Sequence, residues 1–303
     1  MDEKQIIRHY SDAVTWQQKV LFCLLVLGRC SGYLFLYFCV PSLFLALAYV
    51  VWYSESDPTE FFTYGGSFYT TMGMVASLFF LRCRAKRQGQ KLVTGLPSHW
   101  DAIAIEKTLV AFFFGVTAAL ALSAGLTMLE KVPFLSGIIG NYSAASMNLY
   151  RGYDLLFTIV STVLLAPVVE EVIFRGYVLD ILLETFPERT ALLFVTIGFA
   201  ICHVNPLWVI YAAISGFLFC FIAIREDGIF YPVLCHIGFN LPSAIIVVVT
   251  LYVEGAETVM QHPYFLAGLG LPCCWVALVV AKHYARQSES GYLSIRLNWR
   301  HDS

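Results

Sequence analysis

The sequence predicts an all-α fold, a multi-pass membrane helical bundle with about eight transmembrane helices. Of its 303 residues, 58% are hydrophobic and only 13% are charged, whereas a soluble domain usually has about 25% charged residues. The mean hydropathy is +0.70. The apolar residues form long runs separated by short charged or Gly/Pro-containing stretches. This pattern is typical of helices in lipid, where each segment must satisfy its own backbone hydrogen bonds.

Eight stretches approach the roughly 20 apolar residues that a membrane span needs. They are residues 30–53, 64–82, 108–129, 152–172, 190–205, 206–225, 229–252 and 264–282. The fifth and sixth share one apolar run, which we divide at Asn205-Pro206 because proline disfavours helical geometry in the residue before it. We expect N-terminal membrane helices in 1–150, a helical core that contains the polar motifs in 151–282, and a tail in 283–303.

The distribution of charge predicts the orientation, because Lys and Arg favour cytoplasmic loops. The connection 82–91 after the second span is basic, and the segments 54–63 and 253–263 contain acidic residues without a Lys or Arg. With eight spans, both termini are then cytoplasmic. The net charge is −2 and no basic arm is present, so we expect membrane lipid and membrane-associated proteins as partners, and no nucleic acid.

Three polar motifs interrupt the apolar runs of the second half. An ionisable residue inside a span costs about 2.5–3.5 kcal/mol on insertion scales and therefore indicates function. Glu171 and Arg175 are spaced i,i+4 in the favourable order for an ion pair, and Glu170 points about 100° away from that pair. We interpret Glu171–Arg175 as a structural pair that leaves Glu170 for other work. The alternative is a charge cluster at the membrane interface.

His203 follows Glu170 by 33 residues, with a polar stretch, 184–189, between them. If the chain turns near Pro187, an antiparallel helix pair places Glu170 and His203 at nearly the same depth. The alternative is that His203 only bonds a neighbouring carbonyl. His236 and Asn240 are spaced i,i+4 on one face of a further apolar run, where they could instead join helices by hydrogen bonds.

A carboxylate, two imidazoles and an amide from three helices suit water-mediated acyl transfer. Glu170 would deprotonate a water held by His203. His236 and Asn240 would donate to the oxyanion, each worth about 3–4 kcal/mol. Alternatively, Glu170, His203 and His236 would hold zinc with one open position. Neither HExxH nor GxSxG occurs in the sequence.

The three motifs, EExxxR, FxxxH and HxxxN, resemble those of the CPBP family. This family contains CAAX prenyl proteases of the Ras-converting-enzyme type and bacterial relatives, including bacteriocin-processing and immunity proteins. The matching residues are Glu170, Glu171, Arg175, Phe199, His203, His236 and Asn240. The resemblance covers roughly residues 150–250. The segments EEVIFRG and GIFYPVLCHIGFN resemble bacterial members of the family, so we expect the protein in a bacterial plasma membrane.

The resemblance implies an eight-helix bundle with a cavity open to the cytosol, and cleavage of peptide bonds near prenylated or membrane-associated C-termini. By analogy, Glu170 and His203 activate the water, Phe199 supports the site, and His236 and Asn240 form the oxyanion hole. The family has been described both as metalloproteases and as metal-independent glutamate proteases. We favour an enzyme that requires no cofactor, because asparagine is a poor zinc ligand and a good oxyanion donor.

Two other functions use the same residues. One is a non-catalytic family member, a membrane scaffold or an immunity protein that binds a partner; the intact motif set argues against it. The other is a proton-coupled transporter with Glu170, Glu171 and His203 as a relay. Transporters often have broken helices in two matching halves, and here the polar residues lie in one half of the chain.

Overall fold

The computed structural model of this protein describes residues 16–130, 132–152, 154–203 and 205–260, together with 265, 268, 272–273 and 275–276. Within these residues every regular element is helical. The longer helices are α1 (Trp16–Trp52), α2 (Ser67–Arg87), α3 (Ala102–Leu129), α4 (Pro133–Leu149), α5 (Leu155–Leu183), α6 (Glu188–Ile201), α7 (Pro206–Arg225) and α8 (Phe230–Tyr252). Short helical turns lie at Pro58–Glu60, Phe61–Gly65 and Ala256–Met260.

Five of the described helices are long and apolar enough to cross a membrane: α1 from Val20 onward, α3, α5, α7 and α8. The predicted all-α membrane bundle is therefore confirmed, and the chain is an integral membrane protein. The predicted span 64–82 corresponds to α2, whose last turn is basic. The predicted eighth span, 264–282, lies mostly outside the described residues, and the tail 283–303 lies entirely outside them.

Several predicted helix ends were wrong. The span placed at 152–172 continues to Leu183, because Glu171 and Arg175 are buried against each other and their charges do not end the helix. The span placed at 190–205 ends at Ile201 after 14 residues, and the Asn205 side chain instead accepts from the backbone N–H of Leu207 at 3.0 Å at the start of α7. Helix α4 was not predicted at all.

Contacts divide the chain into two compact units with interleaved segments. The first unit joins Met1–Thr94 to Gly152–Cys220, and the second joins Gly95–Arg151 to Phe221–Ser303. The division into regions at residue 150 was proposed on sequence grounds and stays a prediction.

In the first unit, α1 and α2 approach closely. A Cβ added at Gly73 of α2 would overlap the Pro41 backbone of α1, and the Ser77 hydroxyl donates to the Leu36 carbonyl at 3.0 Å. The chain before α5 then meets the start of α2, where the Phe68 N–H donates to Asp154 at 2.6 Å.

The second unit is built on a close crossing of α3 and α8. A Cβ added at Gly115 would overlap the Cys235 carbonyl, and one added at Gly238 would overlap the Phe112 carbonyl. Small residues let membrane helices approach this closely, because no side chain separates the two backbones. This crossing holds α8, the helix that contains His236 and Asn240.

Candidate active site

The first motif lies where α5 changes its winding. The helix is α-helical over Ala166–Glu170 and π-helical over Glu171–Val178, with an earlier π-helical stretch at Val160–Leu165. Glu170 therefore ends one segment and Glu171 begins the next. Wide turns of this kind occur frequently at functional sites. The two adjacent carboxylates leave the helix in different directions and meet different partners.

Glu171 forms the ion pair that its spacing predicts. Arg175 Nη1 donates to Glu171 Oε1 at 2.9 Å, and both side chains are fully buried. The other terminal nitrogen, Nη2, donates to the Gly216 carbonyl of α7 at 3.1 Å. A buried pair of this kind is strongly destabilised when one partner is removed, because the remaining charge has no water around it. The geometry suits a structural role for Glu171 and Arg175.

Phe199 connects this ion pair to His203. The guanidinium of Arg175 lies over the Phe199 ring at 4.2 Å from its centre, and the His203 imidazole meets the same ring edge-to-face at 4.8 Å between centroids. Gly216 leaves room for the arrangement, since a Cβ there would come within 2.8 Å of the Phe199 ring. Phe199 is thus buried and joins the end of α6 to α5 and α7.

His203 lies in the turn after α6 rather than inside a helix. The turn predicted near Pro187 is confirmed, because Pro187 immediately precedes α6. The His203 Nδ1 lies 2.9 Å from the Phe199 carbonyl oxygen. A carbonyl only accepts, so Nδ1 bears the hydrogen, and Nε2 of the neutral ring is an acceptor. The preceding Cys202 interacts electrostatically with Glu170, so this turn lies in the vicinity of the Glu170 carboxylate.

Glu170 is buried, with 6% of its surface exposed. Its Oε1 accepts a hydrogen bond of 2.6 Å from the hydroxyl of Tyr37 in α1. Sequence reasoning missed Tyr37, which lies 133 residues earlier in an apolar helix. The available signal was the i,i+4 spacing of Tyr33 and Tyr37, two hydroxyls on one face of a membrane helix.

The second unit contains the remaining predicted residues. His236 is buried, and Asn240 is half-buried one turn later in α8. The face of α8 that crosses α3 contains Cys235 and Gly238. At about 100° per residue, His236 and Asn240 are about 40° apart and lie about 100–160° away from Cys235 and Gly238. The structure therefore places the two together, as their spacing predicts, on a side of α8 that the α3 crossing does not cover.

Metal binding stays a prediction. Among the described residues, no three His, Cys, Asp or Glu side chains are grouped as metal ligands. The zinc alternative takes Glu170 and His203 from the first unit and His236 from the second. The bond from His203 Nδ1 to a carbonyl suits a zinc ligand as well as a water-orienting group, because ligating histidines usually donate their other N–H to such an oxygen.

The fold and the residues described so far define the class of the protein: an integral membrane protein of apolar helices with a buried glutamate in one of them. Residues 152–242 match the family model described as Type II CAAX prenyl endopeptidase Rce1-like. This segment of the chain is therefore an Rce1-like domain, and the resemblance to the CPBP family is confirmed. The matched segment contains all seven predicted site residues and excludes Tyr37. No curated protein and no solved structure matches the chain significantly.

Proposed function

We propose that this protein is an intramembrane endopeptidase that hydrolyses peptide bonds of membrane-associated proteins or peptides, prenylated substrates among them. The observation that carries the proposal is that the two adjacent glutamates bond to different partners. Glu171 is paired with Arg175, whereas Glu170 is buried and bonded by a phenol hydroxyl. A buried carboxylate whose bonded partner is a neutral hydroxyl suits the role of a general base.

In the proposed reaction, Glu170 takes a proton from a water whose other hydrogen is directed to His203 Nε2. The water oxygen attacks the scissile carbonyl carbon, and the carbonyl oxygen becomes an oxyanion. His236 and Asn240 are proposed to donate hydrogen bonds to that oxyanion, in the manner of other oxyanion holes. The C–N bond then breaks, and the proton held by Glu170 passes to the leaving amine.

The acceptor at His203 Nε2 supports this assignment. With Nδ1 bonded to the Phe199 carbonyl, the imidazole presents a lone pair, and the packed Phe199 ring limits its rotation. We propose that no metal is required and that both termini face the cytoplasm of a bacterium, as the basic end of α2 suggests. The proposed substrates reach the site from the membrane.

The test is cleavage of a fluorogenic peptide in liposomes by the purified protein. We expect the wild type to cleave and Glu170→Gln to lose about 10²- to 10⁴-fold in rate, the usual range for removing a general base. Glu188→Gln is the matched control, since Glu188 begins helix α6 and is exposed. It should cleave at the wild-type rate.

Two peptides that differ only in a C-terminal prenyl group test the substrate class. Faster cleavage of the prenylated peptide supports prenylated substrates, and equal rates restrict the proposal to membrane-associated peptides in general. Equal activity of the wild type and Glu170→Gln would exclude the proposed role of Glu170. A scaffold or immunity protein would be favoured by two results together. The folded wild type would cleave neither peptide, and the Glu170→Ala protein would restore the phenotype of cells that lack this protein.

A further inference from the structure

Helix α1 lies outside the segment matched by the family model. Three successive turns of α1 contact α5 and the residue that follows it, Glu184, at decreasing residue numbers. Arg29 pairs with Glu184 at 3.1 Å, the Tyr33 ring stacks on Tyr177 at 4.4 Å, and Tyr37 meets Phe174.

The order of these contacts shows that α1 runs antiparallel to α5 in the first unit. Each contact is one turn of α1 after the previous one, so three contacts along the helix fix the register between α1 and α5. At the third contact, the Tyr37 hydroxyl lies 2.6 Å from Oε1 of the Glu170 carboxylate.

The Tyr37 ring is held by edge-to-face aromatic contacts. Phe174 of α5 lies 6.0 Å away between centroids with an interplanar angle of 79°, and Phe38 lies 4.7 Å away at 73°. Both angles are in the preferred range for aromatic pairs. The hydroxyl at the end of this ring therefore has little freedom to leave Glu170.

We propose that Tyr37 is a positioning residue for Glu170. The last torsion of a glutamate side chain has a broad, roughly two-fold distribution, so packing alone orients the carboxylate poorly. A short hydrogen bond to Oε1 selects one orientation of the carboxylate plane. Catalytic groups lose rate when they are displaced by even about 1 Å. This inference rests on the proposed function, because it gives Tyr37 a role only if Glu170 acts on water.

The experiment compares Tyr37→Phe with the wild type in the liposome assay. Phenylalanine keeps the ring contacts and removes only the hydroxyl. A hydrogen bond to a charged group corresponds to about a tenfold to hundredfold change in an equilibrium or rate constant, and we expect kcat to fall by that factor. KM and Tm should be unchanged, since the substrate contacts and the packing are retained.

Tyr33→Phe is the matched control, one turn earlier on the same helix. The Tyr33 hydroxyl accepts a hydrogen bond from Arg84 Nε at 2.8 Å. Arg84 is not one of the proposed site residues, so the kcat of Tyr33→Phe should equal that of the wild type. The double variant Tyr37→Phe/Glu170→Gln should be no slower than Glu170→Gln alone, because coupled residues are not additive.

Three outcomes would overturn the role of Tyr37: a wild-type kcat for Tyr37→Phe, a raised KM or lowered Tm in place of a lowered kcat, or a further loss in the double variant. In each of these, an inactive Glu170→Gln protein would leave the proposed function standing. If Glu170→Gln is as active as the wild type, the proposed function itself fails, whatever Tyr37→Phe does.

Discussion

Replacement of Glu171 by glutamine tests the division of roles between the two glutamates. The change keeps the shape of the side chain but leaves the charge of Arg175 buried without its counter-ion. Breaking a buried ion pair on one side costs about 3–5 kcal/mol. Arg175 keeps its bond to the Gly216 carbonyl at 3.1 Å and its position over the Phe199 ring at 4.2 Å. We therefore expect the lower end, about 3 kcal/mol.

The protein also provides an exposed Glu–Arg pair for comparison. Arg29 and Glu184 are 3.1 Å apart, with side chains 38% and 36% exposed, and exposed pairs contribute about 0–1 kcal/mol. The free energy of unfolding is measured by SDS titration in mixed micelles for Glu171→Gln and Glu184→Gln. Equal losses in the two variants would refute the reasoning from burial. If Glu171→Gln keeps its stability and loses cleavage, the roles are reversed: Glu171 would be the general base and Glu170 the structural residue.

Two further predictions concern the second unit and the metal. Gly115→Ala should lower the free energy of unfolding by about 1–3 kcal/mol, the range for overpacking, because its methyl group meets the Cys235 carbonyl. Gly125→Ala on the same helix has open space and should be neutral; equal effects would show that the crossing tolerates a side chain. Cleavage by the wild type should persist after dialysis against a strong zinc chelator, and loss of activity that added zinc restores would instead establish the zinc alternative.

Much of the fold was predictable because membrane helices leave strong sequence signals. Length and apolarity located the five described helices that are long and apolar enough to cross a membrane, since the lipid tolerates few other segments. The Glu171–Arg175 pair followed from its spacing alone, because both residues belong to one helix. The turn at Pro187 followed from the polar stretch around it. All of these are local properties, which a sequence displays directly.

The parts that sequence reasoning missed depend on partners far away in the chain. The end of α5 was placed too early because Arg175 looks like a terminal charge until its burial by Glu171, Gly216 and Phe199 is known. Tyr37 could not be assigned because an aromatic residue in an apolar helix is usually a packing residue. Only the register between α1 and α5 shows that its hydroxyl meets Glu170.

The interleaving of segments in the first unit limits how this protein can be divided for study. A gene fragment encoding only the family-matched residues would begin at 152 and so omit Met1–Thr94, which belongs to the same compact unit as Gly152–Cys220. Tyr177 of α5 would then lack the Tyr33 ring on which it stacks. Truncation from the N-terminus should therefore fail at the level of folding, and chimaeras with relatives should exchange α1 and α5 together.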